Sequence, residues 1–222
     1  MEKVTAVTRA VEMIPDGARL MIGGFLAVGT PHRLVDELVR QGKKNLTIIA
    51  NDTARPGLGI GRLIDTKQVR KIIVSHIGTN PETGKQIIAG TLEAELVPQG
   101  TLAERIRAGG YGLGGVLTPT GLGTTVAEGK QTIEVNGKLF LLELPLRADF
   151  ALLGAHRSDY RGNLDYDLTA RNFNAVMALA ADHVIAEPEE IVPVGCISPD
   201  EVITPFVLVD HIIEQQRRVY GR

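Results

Sequence analysis

The chain has 222 residues, enough for one sizeable α/β domain and short for two. A formal net charge of −2 leaves no electrostatic footprint for nucleic acid or an anionic membrane. One cysteine excludes an internal disulfide and fits a reducing compartment, while 25 glycines exceed the usual share by roughly half.

Residues 4–14 place Val4, Val7, Val11 and Ile14 at helical spacing, predicting an amphipathic helix. Glu2, Lys3, Arg9 and Glu12 interrupt it, unlike a signal peptide, and the apolar run Leu20 to Thr30 is too short to span a bilayer. A cytoplasmic protein is expected. Asp16-Gly17 reads as a turn and Leu20 to Ile22 as a short strand. The loop Gly23-Gly24-Phe25-Leu26-Ala27-Val28-Gly29 follows, with Thr30 and Pro31 read as N-cap and first residue of a helix bearing Leu34, Val35, Leu38 and Val39. Such a loop lets backbone approach a ligand closely and can point N–H groups at an anion beside the helix dipole. A tight structural turn is the alternative. On the ligand reading, a Cβ at Gly24 would lower turnover and spare folding. The spacing matches neither the dinucleotide fingerprint nor the phosphate-binding NTPase loop.

Leu46 to Ala50 is a continuous apolar run, the mark of a buried parallel strand. It ends at Asn51-Asp52-Thr53, on the carboxyl edge where open α/β sheets keep ligands. Val69 to Ser75 repeats the pattern ahead of a polar turn, His76 to Pro81. Leu96 to Thr101 reads as a third strand running into a turn and the helix Leu102 to Arg107. Such units predict a mostly parallel, doubly wound sheet with helices on both faces. The glycine-rich stretch Gly109 to Gly123 has little to bury and is expected to be a mobile loop or one ordered by a partner. Thr132 to Val135, Asn136-Gly137 and Lys138 to Leu142 predict a hairpin insertion with a type I′ turn. Ala148 to Ala155 reads as buried strand, Asn163 to Tyr166 as hairpin or edge strand, and Ala170 to Ala180 as helix. Ala181 to Ala186 reads as strand, and the stretch Val202 to Ile213 ends in strand. With no linker or repeat, one domain over 1–222 is expected.

Asn51 and Gln99 each follow a predicted strand, so their amides would line one crevice and hold a carboxylate or thioester carbonyl, or else cap turns. His76 is a candidate acid or base, or a partner of a nearby carbonyl; His32, His156, His183 and His211 read as structural. Cys196 reads as a small core residue, and no His, Cys or carboxylate spacing predicts a metal.

The stretch Asp16 to Pro31, with Gly-Gly-Phe, three residues, Gly and Pro, resembles the signature of the α subunits of family I coenzyme A transferases. The resemblance continues through Ile49 to Thr53, Val97 to Leu102, Leu146 to Asp149 and Ala170-Arg171-Asn172-Phe173-Asn174. It implies a coenzyme A-proximal loop at Gly23, Gly24, Phe25, Leu26, Ala27, Val28 and Gly29, and an acid substrate facing Asn51, Gln99 and Gly100. The family's acylated glutamate lies in a Ser-Glu-Asn-Gly type segment of the β subunit. Neither Glu128-Gly129 nor Glu143-Leu144-Pro145 matches it here. The resemblance therefore implies half of an active site, completed by a β subunit in an α2β2 or higher assembly. No cofactor would be held permanently, and coenzyme A would enter as acyl-CoA substrate. Short-chain acids such as acetate, acetoacetate or butyrate are the expected substrates. Alternatives are the 3-oxoadipate branch and a module sensing an acyl-CoA or sugar phosphate.

Overall fold

The computed structural model describes residues 3–214. The chain opens with β1 (Val4–Thr5) and α1 (Val7–Glu12), then alternates strand and helix: β2 (Arg19–Ile22), α2 (His32–Gln41), β3 (Leu46–Asp52), α3 (Gly61–Asp65), β4 (Val69–His76), α4 (Pro81–Ile88), β5 (Glu93–Leu96) and α5 (Gln99–Tyr111). A small antiparallel sheet follows, formed by β6 (Val116–Thr118), β7 (Thr132–Val135) and β8 (Lys138–Glu143) in the order β6-β8-β7. The chain then returns to the main sheet as β9 (Ala148–Asp159), β10 (Leu164–Asp165), α6 (Asn174–Met177), β11 (Ala181–Val192) and β12 (His211–Ile213).

The main sheet runs β1-β12-β11-β9-β2-β3-β4-β5, parallel throughout, with the short β10 antiparallel on β9. Alternation along the strands splits the core. Leu20, Ile22, Ile48 and Ala50 face Leu34, Leu38 and Leu63 of α2 and α3. Met21, Ile49, Ala151 and Leu153 face Leu102 and Ile106 of α5 and Met177 of α6. Burial on both faces explains why the strands read as unbroken apolar runs. The expected α/β architecture is present, and its connections fix where a ligand would sit. From β2 the chain works outward through β3, β4 and β5, whereas from β9 it works outward the other way through β11 and β12. Open sheets of this kind bind ligands beyond the carboxyl ends of the strands where that order reverses, here between β2 and β9.

Several expectations need correcting. Val4 and Thr5 lie in a strand paired with Ile212 and Ile213 of β12, so the first helix begins only at Val7. The third strand ends at Leu96, and Gln99-Gly100-Thr101 is the first turn of α5 rather than strand. Pro98 at the N-cap explains this, because its fixed φ suits a helix start and it holds Val97 extended. Gly109 and Gly110 belong to α5, not to a mobile loop. A Cβ on Gly109 would lie 1.9 Å from the Leu146 carbonyl, and one on Gly110 would lie 2.5 Å from the Leu179 Cβ, so these glycines permit close packing. Beyond them, Val116 to Thr118 adds a third strand to the hairpin. The segment 170–180 is a 3-10 turn, Leu168–Arg171, followed by the short α6. Cys196 is exposed in the turn after β11 and is no core residue.

Candidate active-site edge

The glycine-rich loop leaves β2 at the reversal point and folds into a four-residue hairpin. Phe25 and Val28 exchange both backbone hydrogen bonds, at 3.0 and 2.9 Å, around Leu26 at φ 48° and Ala27 at φ 74°. Left-handed backbone costs a non-glycine residue about 1–2 kcal/mol, so the neighbouring structure must over-determine this turn. It does so from three directions. Asp52 at the end of β3 accepts the Leu26 N–H at 2.9 Å through Oδ2 and the Ala54 N–H at 2.7 Å through Oδ1. Asn172 accepts the Gly24 N–H at 3.0 Å and donates to the Val28 carbonyl at 3.0 Å. Asn174 donates to the Gly29 carbonyl at 2.9 Å while accepting the Gly154 N–H at 3.0 Å.

The loop glycines therefore serve packing within the chain. An added Cβ would lie 1.7 Å from Asn174 Oδ1 at Gly23, 2.0 Å from Thr30 Oγ1 at Gly24 and 2.4 Å from the Ala170 carbonyl at Gly29. Gly24 also sits at φ 124°. The tight-turn alternative accounts for these bare positions, and the collision with Thr30 argues against Gly24→Val sparing the fold. The anion expectation changes too. The Gly24, Phe25, Leu26 and Val28 N–H groups are all taken by acceptors of this chain. Thr30 does not cap α2; its Oγ1 donates to the Gly23 carbonyl at 3.1 Å. Pro31 occupies the N-cap, and the helix start is occupied by Glu187 of β11, whose carboxylate accepts the Arg33 and Leu34 N–H groups at 3.0 and 2.8 Å. Burial pushes the Glu187 carboxyl above its ordinary pKa, and those two backbone hydrogen bonds oppose the rise.

On the β3–β5 side of the loop, Asn51 and Gln99 meet as expected, Gln99 Nε2 donating to Asn51 Oδ1 at 2.6 Å. Their exposure differs. Asn51 is 1% exposed and its amide is spent internally, donating to Asp52 Oδ2 at 2.7 Å and accepting from Ser75 Oγ at 3.2 Å. Gln99 is exposed at the start of α5, whose first turn has no side-chain cap. A Cβ on the adjacent Gly100 would meet nothing, so backbone is open to an incoming molecule there. His76 lies exposed at the end of β4, in register with Asp52. Glu143 is 1% exposed and bound by Lys130 at 2.6 Å, a structural role.

On the other side of the loop lies a cleft of about 900 Å³ that the sequence reading missed, lined by Gly29, Arg33, His156, Asp167, Glu187 and Glu190 among others. The signal available was the acidic run Glu187-Pro188-Glu189-Glu190 at the carboxyl end of a strand. Such a wall disfavours phosphate. Among the described residues no helix is long and apolar enough to cross a membrane, and no group of three or more His, Cys, Asp or Glu side chains is arranged to hold a metal.

The family model described as coenzyme A transferase matches residues 4–215. The chain belongs to the coenzyme A transferase family. Within it the chain falls among the alpha subunits. It is 56% identical over 214 residues to the acetate CoA-transferase subunit alpha of Escherichia coli K12, covering 96% of this chain and 97% of that one. It is 54% identical over 200 residues to the acetoacetyl-CoA:acetate/butyrate CoA transferase alpha subunit of Clostridium acetobutylicum, covering 90% and 92%. Its fold matches the acyl-CoA transferase YdiF of E. coli O157:H7 with TM-score 0.85 at 23% identity, covering 99% of this chain and 49% of that longer one.

Proposed function

We propose that this alpha subunit moves coenzyme A between a short-chain acyl-CoA and a carboxylic acid such as acetate, acetoacetate or butyrate, and that a β subunit supplies the nucleophile. The observation that carries the reading is the state of the two carboxylates that hydrogen-bond to the loop and to the start of α2. Asp52 is 3% exposed, with Oδ2 holding the turn at Leu26 and Oδ1 accepting the Ala54 N–H, and the Glu187 carboxylate holds the start of α2. Each has backbone N–H donors to satisfy and would leave them orphaned if it attacked an acyl group. The apolar side chains of Phe25, Val28 and Leu58 stand 44%, 50% and 42% exposed on turns at the same edge, which fits a surface covered by a partner.

In this mechanism a partner glutamate oxygen attacks the acyl-CoA carbonyl and the C–S bond breaks, giving an acyl-glutamyl anhydride and coenzyme A thiolate. The thiolate attacks the glutamyl carbonyl and releases the first acid as its carboxylate, leaving glutamyl-CoA. The second carboxylate reverses these steps. This chain contributes shape and polarity: Gln99, steadied by Asn51, and the open backbone at Gly100 face the acid or developing oxyanion. The loop Gly23 to Gly29 contributes the Phe25–Val28 turn as an apolar wall for the acyl end. The test is initial-rate kinetics of the co-purified complex with acetyl-CoA against acetoacetate, butyrate and a 3-oxo dicarboxylate, and with butyryl-CoA against acetate. Parallel double-reciprocal lines with the short monocarboxylates support the reading. Preference for the dicarboxylate moves the substrate class, and binding of acyl-CoA without transfer to any acid contradicts the reaction.

A further inference from the structure

The motif Ala170-Arg171-Asn172-Phe173-Asn174 lies far from the glycine-rich loop in sequence, and the reaction above gives its side chains no role. We infer that Asn172 and Asn174 are positioning residues, a strap that holds the Phe25–Val28 turn in its left-handed conformation at the active-site edge. Two asparagines, two residues apart, grip both arms of the turn. Asn172 Oδ1 takes the Gly24 N–H at 3.0 Å while its Nδ2 donates to the Val28 carbonyl at 3.0 Å and to the Thr169 and Ala170 carbonyls at 3.0 and 3.1 Å. Asn174, fully buried, donates to the Gly29 and Ala170 carbonyls at 2.9 Å and accepts the Gly154 N–H at 3.0 Å, tying the loop to β9.

The glycine pattern of the loop is the space this strap needs. A Cβ on Gly23 would occupy the Asn174 amide, and one on Gly29 would strike the Ala170 carbonyl. A Cβ on Gly154 would lie 2.4 Å from the Gly29 carbonyl. Separate parts of the sequence thus describe one joint. Only an amide satisfies it, since each side chain must donate to carbonyls and accept from an N–H at once. Leucine and alanine at φ 48° and 74° would relax toward ordinary backbone without such restraint, and the Phe25 side chain would swing away from the edge.

This inference rests on the proposed transferase reading, so its test has an arm independent of turnover. Asn172→Asp keeps an acceptor for the Gly24 N–H and sets a carboxylate against the Val28 carbonyl. In the co-purified complex with its partner, amide exchange in a peptide covering residues 23–30 is expected to accelerate, with other peptides unchanged. The kcat is expected to fall on the order of tenfold to a hundredfold, as for a displaced positioning element, while KM for acyl-CoA stays within about twofold. Asn174→Asp, at the buried end, is the second variant and is expected to repeat the pattern with a larger fall in melting temperature. Unchanged exchange at 23–30 overturns the strap. So does a loss of activity that merely tracks the unfolded fraction and returns on cooling. If the unaltered complex transfers no coenzyme A, the proposed function fails while the exchange arm still decides whether the asparagines hold the turn.

Discussion

Asn51 and Gln99 share a hydrogen bond, yet their chemistry divides, and so do the expected effects of removing them. Gln99→Ala deletes an exposed amide whose partner Asn51 Oδ1 keeps the Ser75 hydroxyl. Losing a hydrogen bond to a carboxylate is worth about 1.5–3 kcal/mol, so kcat/KM with the acid is expected to fall one to two decades with little change in unfolding midpoint. The loss is expected to be smaller for acetate than for acetoacetate if Gln99 reaches a 3-oxo group. Asn51→Ala removes a buried amide from its contacts with Asp52, Ser75 and Gln99, although Ser75 keeps the residue-51 carbonyl and Asp52 its backbone donors, and is expected to cost about 1–3 kcal/mol of stability as well. Denaturant unfolding alongside kinetics separates the two. Gly24→Val is expected to lower the melting temperature, because strain of about 1–3 kcal/mol adds to the collision with Thr30. A variant melting like the parent with reduced turnover would restore the ligand-approach reading. The meeting of Asn51 with Gln99 was legible because each follows a strand in a regular α/β alternation. What Gly23 and Gly29 face was not, since the groups filling their space come from Asn174 and Ala170, more than a hundred residues away in the sequence.

Among the elements, the join of α2 to β11 shows how the loop is held from its far end. Glu187 occupies the start of the helix, and burial raises its pKa. A carboxyl that binds its proton more tightly when folded makes the folded state the better proton binder over the window between its unfolded and folded pKa values. Its contribution to stability is therefore most favourable below the unfolded value and declines as pH rises from about 4.5 through the raised folded value. Glu187→Gln, which keeps one acceptor and cannot ionise, is expected to flatten that part of the stability–pH curve in a urea titration series. An unchanged slope would assign it to other groups. The buried strands and the type I′ hairpin at Asn136-Gly137 were readable from apolar runs and turn chemistry. The start of α5 was misread because Val97-Pro98 continues an apolar strand pattern, while the proline in fact opens the helix. The strand Val116–Thr118 escaped notice because glycines surround it and its pairing with Glu143 to Leu141 is supplied from elsewhere in the chain.

At the scale of the whole molecule, the order of the strands explains why the candidate features collect at one edge. The reversal between β2 and β9 opens the sheet there, and the loop and the acidic cleft border it. The family was legible from a sixteen-residue signature, whereas the cleft was not, because its walls come from α2, β9 and β11 and converge only in the fold. The central claim is that this chain shapes an active site whose nucleophile belongs to its partner. The most direct measurement is intact mass of both chains after the co-purified complex meets acetyl-CoA with no acid acceptor, followed by the same incubation with this chain alone. The account predicts a coenzyme A adduct on the partner chain, an unchanged mass for this chain, and no turnover by this chain in isolation. An adduct on this chain, or transfer catalysed by it alone, would contradict the account.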